Sequence, residues 1–198
     1  MTGREGDKRL GIKTTGREDV ASAHYAPYEP TPYPVLERLA QSGWLGREHR
    51  LLDYGCGKGR VVFYLAAAVG CQATGIDQSP RLIREALENR QACRAGDRVR
   101  LACCLAEQYP IGDENAFFFF NPFSSTVFEA VLRRLRQSWY ANPRQMLLLC
   151  YYPSPEYIQC LEGCPEIRRL GSIDCSDLFR RNPRERIEVY ALPEPIRP

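Results

Sequence analysis

No stretch of this chain is long and apolar enough to cross a membrane. Its longest apolar runs, residues 61–69 and 116–120, fall far short of the ~20 residues a spanning helix needs. The N-terminal residues, rich in Gly, Arg, Lys and Asp, lack the apolar centre of a secretory signal. A strong charge is missing too: the net charge is +3, so composition makes no case for a nucleic-acid partner. There is no zinc pattern. Cys160 and Cys164 have metal-like spacing, but no second pair or histidine follows in register. The nine cysteines are odd in number and irregularly spaced. Cys71, Cys103, Cys104 and Cys150 read as buried in strands and Cys93 as lying near a helix end, where thiols pack as small hydrophobes. These absences point to a reduced, cytoplasmic protein. With no internal repeat and no break in composition, 198 residues are read as one domain with a substantial core.

What is present is concentrated in Leu51-Leu52-Asp53-Tyr54-Gly55-Cys56-Gly57-Lys58-Gly59-Arg60. An apolar run ends in a carboxylate, three glycines alternate, and a second apolar run follows. This predicts a buried strand, a tight loop and a helix, the first βα turn of a ligand-binding sheet. Glycine at Gly55, Gly57 and Gly59 lets the backbone reach positive φ and approach a ligand. A dinucleotide fingerprint would need a third glycine where Arg60 stands, and Asp53 would repel a pyrophosphate. Further strands are expected at 71–76, ending in Asp77, and at 99–105, 116–120, 145–152, 167–175 and 185–192. Helices are expected at 35–41, from Ser79-Pro80 to about 94, and at 124–139. Strands alternating with helices imply a parallel sheet, and the last two strands suit an antiparallel hairpin. Residues 24–34 carry four prolines and form an extended segment, while residues 1–22 read as a flexible tail.

The Asp53–Gly59 pattern resembles motif I of the class I, Rossmann-like methyltransferases that use S-adenosyl-L-methionine, a ligand whose ammonium and sulfonium suit a carboxylate. A bacterial group of this family, mostly without assigned substrates, carries a Tyr-x-Pro-Thr segment, an Asp-x-Gly-Cys-Gly-Lys-Gly-Arg loop and an Asn-Pro-Phe. Tyr28-Glu29-Pro30-Thr31, Asp53–Arg60 and Asn121-Pro122-Phe123 match these in order. The resemblance implies an α/β three-layer sandwich with a mostly parallel seven-stranded sheet, order 3-2-1-4-5-7-6, last strand antiparallel. After the tail it implies a single domain over 23–198. Within it, 23–45 would form a lid and N-terminal helix, 50–152 a cofactor-binding core and 166–193 a terminal hairpin.

The resemblance also implies roles. Asp53, Gly55, Cys56, Gly57 and Gly59 would seat the methionine end of the cofactor. Asp77, with Gln78, would hold the ribose, a bidentate task suited to a carboxylate at a strand end. Ala106 and Glu107 would lie beside the adenine, and Tyr28 and Thr31 would close over the cofactor. Asn121 and the Pro122 carbonyl would accept hydrogen bonds from an attacking amine, with Phe123 as the substrate wall. Asn-Pro is also a common turn starter. This chain has one proline where the amino-methylating pattern has two; an Asn-x-Phe occurs in seven-strand lysine methyltransferases. Lys58 and Arg60 read as loop residues paired to carboxylates, and no metal is required. The arginines at 133, 134, 136, 168, 169, 180, 181, 184 and 186 make the C-terminal half locally basic, so a small molecule, a protein or a nucleic acid stays open as acceptor. Two other functions stay open: a cofactor-binding protein without catalysis, and an NAD-dependent oxidoreductase. Oligomeric state is not encoded in any local signal.

Overall fold

Ala116–Phe119 (β4) is the most deeply covered strand of the molecule, all four residues being buried. It runs parallel between Arg50–Tyr54 (β1) and Met146–Tyr151 (β5), so both its edges are paired. Both faces are covered as well, which is why a wholly apolar sequence forms a strand here. Period-two alternation sorts the side chains. Leu52, Tyr54, Phe117, Phe119, Leu148 and Cys150 meet the helices Ser125–Ala141 (α5) and Pro155–Glu162 (α6). Leu51, Phe118 and Leu149 face the other way, toward Tyr33–Gln41 (α2) and Arg60–Ala68 (α3).

The computed structural model describes residues 2–16 and 24–194. Gln72–Asp77 (β2) and Val99–Cys103 (β3) extend the parallel sheet beyond β1, with Pro80–Ala92 (α4) between them. Ser79 caps α4 and Pro80 begins it, as their order in sequence predicts. Arg168–Asp174 (β6) and Arg186–Leu192 (β7) form the terminal pair, β7 running antiparallel to both β5 and β6. The sheet order is 3-2-1-4-5-7-6, as the resemblance implies. Cys103 is exposed rather than buried because β3 is the edge strand. Helix α6 was not expected, although Ser154-Pro155 carries the same start signal as Ser79-Pro80. No helix among the described residues is long and apolar enough to cross a membrane.

The expected flexible tail needs correction over residues 2–16. Gly3–Leu10 (α1) is a helix, opened by a Thr2–Glu5 capping box and closed by Gly11 in the left-handed conformation. It escaped a periodicity reading because its inward anchor is a carboxylate. Asp7 is buried and accepts hydrogen bonds from Thr14 N and Oγ1 and from Tyr33 Oη, each at 2.6 Å. Arg60 Nη2 lies 3.5 Å from Asp7 Oδ1, an ion contact rather than a hydrogen bond. Residue 1 and residues 17–22 of the expected tail, residue 23 of the expected lid and residues 195–198 lie outside the described residues.

Candidate functional site

At the end of β1 the chain turns sharply beneath the end of β2. Gly55 N and Cys56 N both donate to the Ile76 carbonyl at 2.9 Å. This turn needs glycine at two places. A Cβ on Gly55 (φ 73°) would lie 2.5 Å from Pro122 Cβ, and one on Gly57 (φ 53°) would lie 2.1 Å from the Tyr28 ring. The loop is therefore pinned between the β4 exit and the N-terminal segment. Gly57→Ala should cost roughly 1–3 kcal/mol through overpacking. A melting temperature within a degree of wild type would show that Tyr28 gives way freely.

Asp53 and Asp77 stand on either side of this turn in different electrostatic states. Asp77 is satisfied from its own surroundings: Oδ2 accepts from Gly57 N at 2.9 Å and Oδ1 from Ser79 N at 2.8 Å. It thus braces the glycine loop and the start of α4. Asp53 is only 3% exposed, and its Oδ2 has no hydrogen-bond partner. Burial first, then the nearby Asp77 charge, push its carboxyl well above the usual carboxylate range. A buried carboxylate oxygen without a partner is costly, and a bound cation would relieve that cost.

The two aspartates line a cavity of about 820 Å³ at the C-terminal ends of the parallel strands. This is the crevice where open α/β sheets bind ligands, and β1 and β4 flank its switch point. Gly55, Cys56, Gln78 and Ala106 line it as well. Residues 25–32 form its roof. The roof is held by Tyr28 Oη, which donates to the Thr14 carbonyl at 2.6 Å, and by Arg60 Nη1, which donates to the Thr31 carbonyl at 3.2 Å. Tyr28 and Thr31 are therefore both in the wall and both buried. Gly57 and Gly59 stand behind the lining, Gly57 covered by Tyr28 and Gly59 capping α3. Glu107 is also outside the wall, since its carboxylate accepts from Tyr25 Oη at 3.0 Å. Lys58 and Arg60 are ion-paired, to Glu85 at 2.7 Å and Asp7 at 3.5 Å.

Asn121, Pro122 and Phe123 all line the cavity, and their polar groups also make hydrogen bonds within the fold. Asn121 Nδ2 donates to the Tyr152 carbonyl at 2.7 Å, and Oδ1 accepts from Ser154 N at 3.1 Å. The Pro122 carbonyl accepts from Ala26 N at 3.0 Å, within a short antiparallel bridge between Tyr25 and Phe123. The Phe123 ring packs edge-on against Tyr25, Tyr54 and Phe119 and is 5% exposed. The physical reason is local. Asn121 (φ 43°) and Tyr152 (φ 49°) both leave strands through left-handed turns, and the freed backbone groups between them need partners. The motif acts as a clamp across β4, β5 and the roof.

The far end of the cavity went unnoticed in the sequence. Phe120, Tyr151, Tyr152, Phe179 and Glu185 line it, with Glu29 from the roof. Tyr151-Tyr152 ends a parallel strand, so the crevice rule alone points to that pair. Phe179 and Glu185 sit in the β6–β7 connection, where nothing local marks them.

Residues 51–140 match a family model described as a methyltransferase domain. The chain is 33% identical over 66 residues to a protein-lysine N-methyltransferase of Saccharolobus islandicus (strain REY15A), covering 33% of this chain and 41% of that protein. It is 38% identical over 61 residues to phosphoethanolamine N-methyltransferase 1 of Zea mays, covering 31% of this chain and 12% of that protein. Both matches thus span well under two thirds of those relatives. In structure it resembles an RNA methyltransferase of Salinibacter ruber in complex with S-adenosyl-L-homocysteine, with TM-score 0.62 and 20% identity, over 85% of this chain and 97% of that one. Residues 51–140 thus resemble a methyltransferase domain, and the seven-stranded sheet around them shares its fold with that solved methyltransferase.

Proposed function

We propose that this protein transfers the methyl group of S-adenosyl-L-methionine to a nucleophile, an amine nitrogen, by in-line displacement. The observation that carries the reading is the buried, unpartnered Asp53 Oδ2 beside a glycine turn too close-packed for any Cβ. That arrangement suits a ligand bringing an ammonium group and no phosphate. Asp53, Gly55 and Cys56 would hold the methionine end. Asp77 and Gln78 would hold the ribose, and Ala106 would lie beside the adenine. The chemistry the cofactor supplies when bound is a methyl group already activated on a sulfonium. The chain itself has to position and to exclude water, which is where most of the acceleration of such a displacement arises. The roof over residues 25–32, tied down through Tyr28 and Thr31, serves that exclusion. Supporting nitrogen as the acceptor, the far end of the cavity carries carboxylates, and both curated relatives are named for methylation at nitrogen.

The test is a thermal-shift titration with S-adenosyl-L-homocysteine and, separately, NADH. At a hundredfold excess over Kd the homocysteine compound should raise Tm by roughly 5–10 °C. NADH should do nothing. Asp77→Ala should lose most of the shift measured from its own ligand-free Tm, and Asn121→Ala should keep much of its shift. Equal shifts in wild type and Asp77→Ala, or stabilisation by NADH alone, would overturn the reading.

A further inference from the structure

Residues 25–32, the roof of the cavity, are fixed at both ends. Ala26 N donates to the Pro122 carbonyl at 3.0 Å, and Pro32 leads into α2, whose Tyr33, Val35 and Leu36 are buried in the core. Between those ends Pro27 and Pro30 stiffen the chain, so its middle rises or falls as a piece. Two ties hold that middle down, and both lead to the N-terminal segment. Tyr28 Oη donates to the Thr14 carbonyl at 2.6 Å. Arg60 Nη1 donates to the Thr31 carbonyl at 3.2 Å, while Arg60 Nε donates to Thr14 Oγ1 at 2.7 Å.

None of residues 13–15 lines the cavity, yet they grip the glycine loop as well. Asn89 of α4, 5% exposed, pairs with both backbone groups of Lys13. Its Oδ1 accepts from Lys13 N at 2.8 Å, and its Nδ2 donates to the Lys13 carbonyl at 3.1 Å. The same Nδ2 donates to the Lys58 carbonyl, within the glycine loop, at 2.9 Å. Lys58 Nζ donates to the Thr15 carbonyl at 3.4 Å. Three consecutive residues thus hold loop and roof at once, and they do so by polar contacts. Of residues 2–16, Ile12 is the only apolar side chain that is buried, so the segment can lift at little hydrophobic cost. Gly3 packs against the Arg60 guanidinium, where a Cβ would lie 3.4 Å from Nη2. Lifting α1 therefore admits water to Arg60 as well as to Asp7, and neither charge is stranded in a dry site.

We infer that residues 11–16 latch the roof over the methyl-donor site, with Tyr28 and Asn89 as positioning residues, and that the cofactor enters and leaves when this latch lifts. The inference rests on the methyl-donor reading above, and it gives a task to part of the segment expected as a flexible tail. A ligand seated beneath the roof keeps it down, and by linkage it holds the latch in place too. Such a latch governs both directions of exchange. When weakened it opens more often, which speeds binding and release together. Loss of a plain ligand contact would speed release alone.

The experiment follows S-adenosyl-L-homocysteine exchange by surface plasmon resonance on full-length wild type, Tyr28→Phe and Asn89→Ala. Tyr28→Phe keeps the ring over Gly57 and removes its tie to Thr14, while Asn89→Ala releases Lys13 and Lys58. Each should raise both the association and the dissociation rate by roughly fivefold, the worth of one or two hydrogen bonds. Kd should then change by less than either rate. An association rate no faster than that of wild type in either folded variant would overturn the inference. Wild type supplies a second measurement that needs no variant. Amide hydrogen exchange followed by NMR should slow at Ile12 and Thr14 by roughly tenfold or more on saturation with the compound, although neither residue lines the cavity. Unchanged exchange at both with the ligand bound would overturn the inference equally. Wild type that binds none of the compound would instead sink the donor reading, which keeps the two failures apart.

Discussion

Asp7→Ala should lower the melting temperature by about 10 °C, the largest stability loss expected of any single exchange in the N-terminal segment. Asp7 is the shared acceptor for Thr14 N, Thr14 Oγ1 and Tyr33 Oη, and the counter-ion of Arg60. Arg60 is 5% exposed and lies 4.6 Å from the centre of the Tyr33 ring. Removing the carboxylate leaves a buried guanidinium with two neutral oxygen acceptors, on Thr14 and Thr31. Breaking one side of a buried pair costs ~3–5 kcal/mol, because the surviving charge stays desolvated. For a chain of this size each kcal/mol is worth roughly 2–4 °C. The double exchange Asp7→Leu with Arg60→Met should recover much of the loss, since removing both charges removes the penalty. Calorimetry of the three proteins decides it. A double variant as unstable as Asp7→Ala would show that the shape of the network matters and its charge does not.

Asp53→Asn should have effects of opposite sign on stability and on binding. In the ligand-free protein, burial raises the Asp53 carboxyl well above its ordinary value, with Asp77 adding to it. Across the window above the usual aspartate pKa of about 4, the folded protein therefore holds a proton that the unfolded chain has released. Stability attributable to this group is greatest in acid and falls as pH rises through the folded-state pKa. Asparagine removes that fall, so the ligand-free variant should melt above wild type at neutral pH. Binding should suffer, since a charge-assisted hydrogen bond to the cofactor ammonium is worth ~1.5–3 kcal/mol, or roughly ten- to a hundredfold in Kd. In wild type the affinity for S-adenosyl-L-homocysteine should climb with pH through the same window, as the carboxylate ionises. The variant should show little of that climb. Titration calorimetry at several pH values gives both quantities, and an Asn variant that binds like wild type would remove Asp53 from the site.

The readable parts of the sequence were those in which one short segment contains both cause and effect. The strand, glycine turn and helix at Leu51–Arg60 carry their own periodicity and their own conformational demand, and the structure forms them there. Ser79-Pro80 announced α4 in the same way. The all-apolar β4 stated its own double coverage. Helix α1 was illegible because its partner, Arg60, is far along the chain, and a charged anchor leaves no hydrophobic stripe.

The site divided along the same line. Sequence alone determined which residues reach the crevice, because a residue at the end of a parallel strand goes there whatever it is: Asp53, Asp77, Asn121 and Tyr151 all do. Only the tertiary structure decided which of their polar atoms remain available. The Asn121 and Pro122 oxygens already accept from Ser154 N and Ala26 N, while Asp53 Oδ2 is left unclaimed. The antiparallel return of β7 likewise delivered Glu185 to the far wall, although it stands far from Glu29 in sequence. Whether a lone pair is open to a ligand depends on backbone groups many residues away. Such long-range competition exists only once the chain has closed on itself.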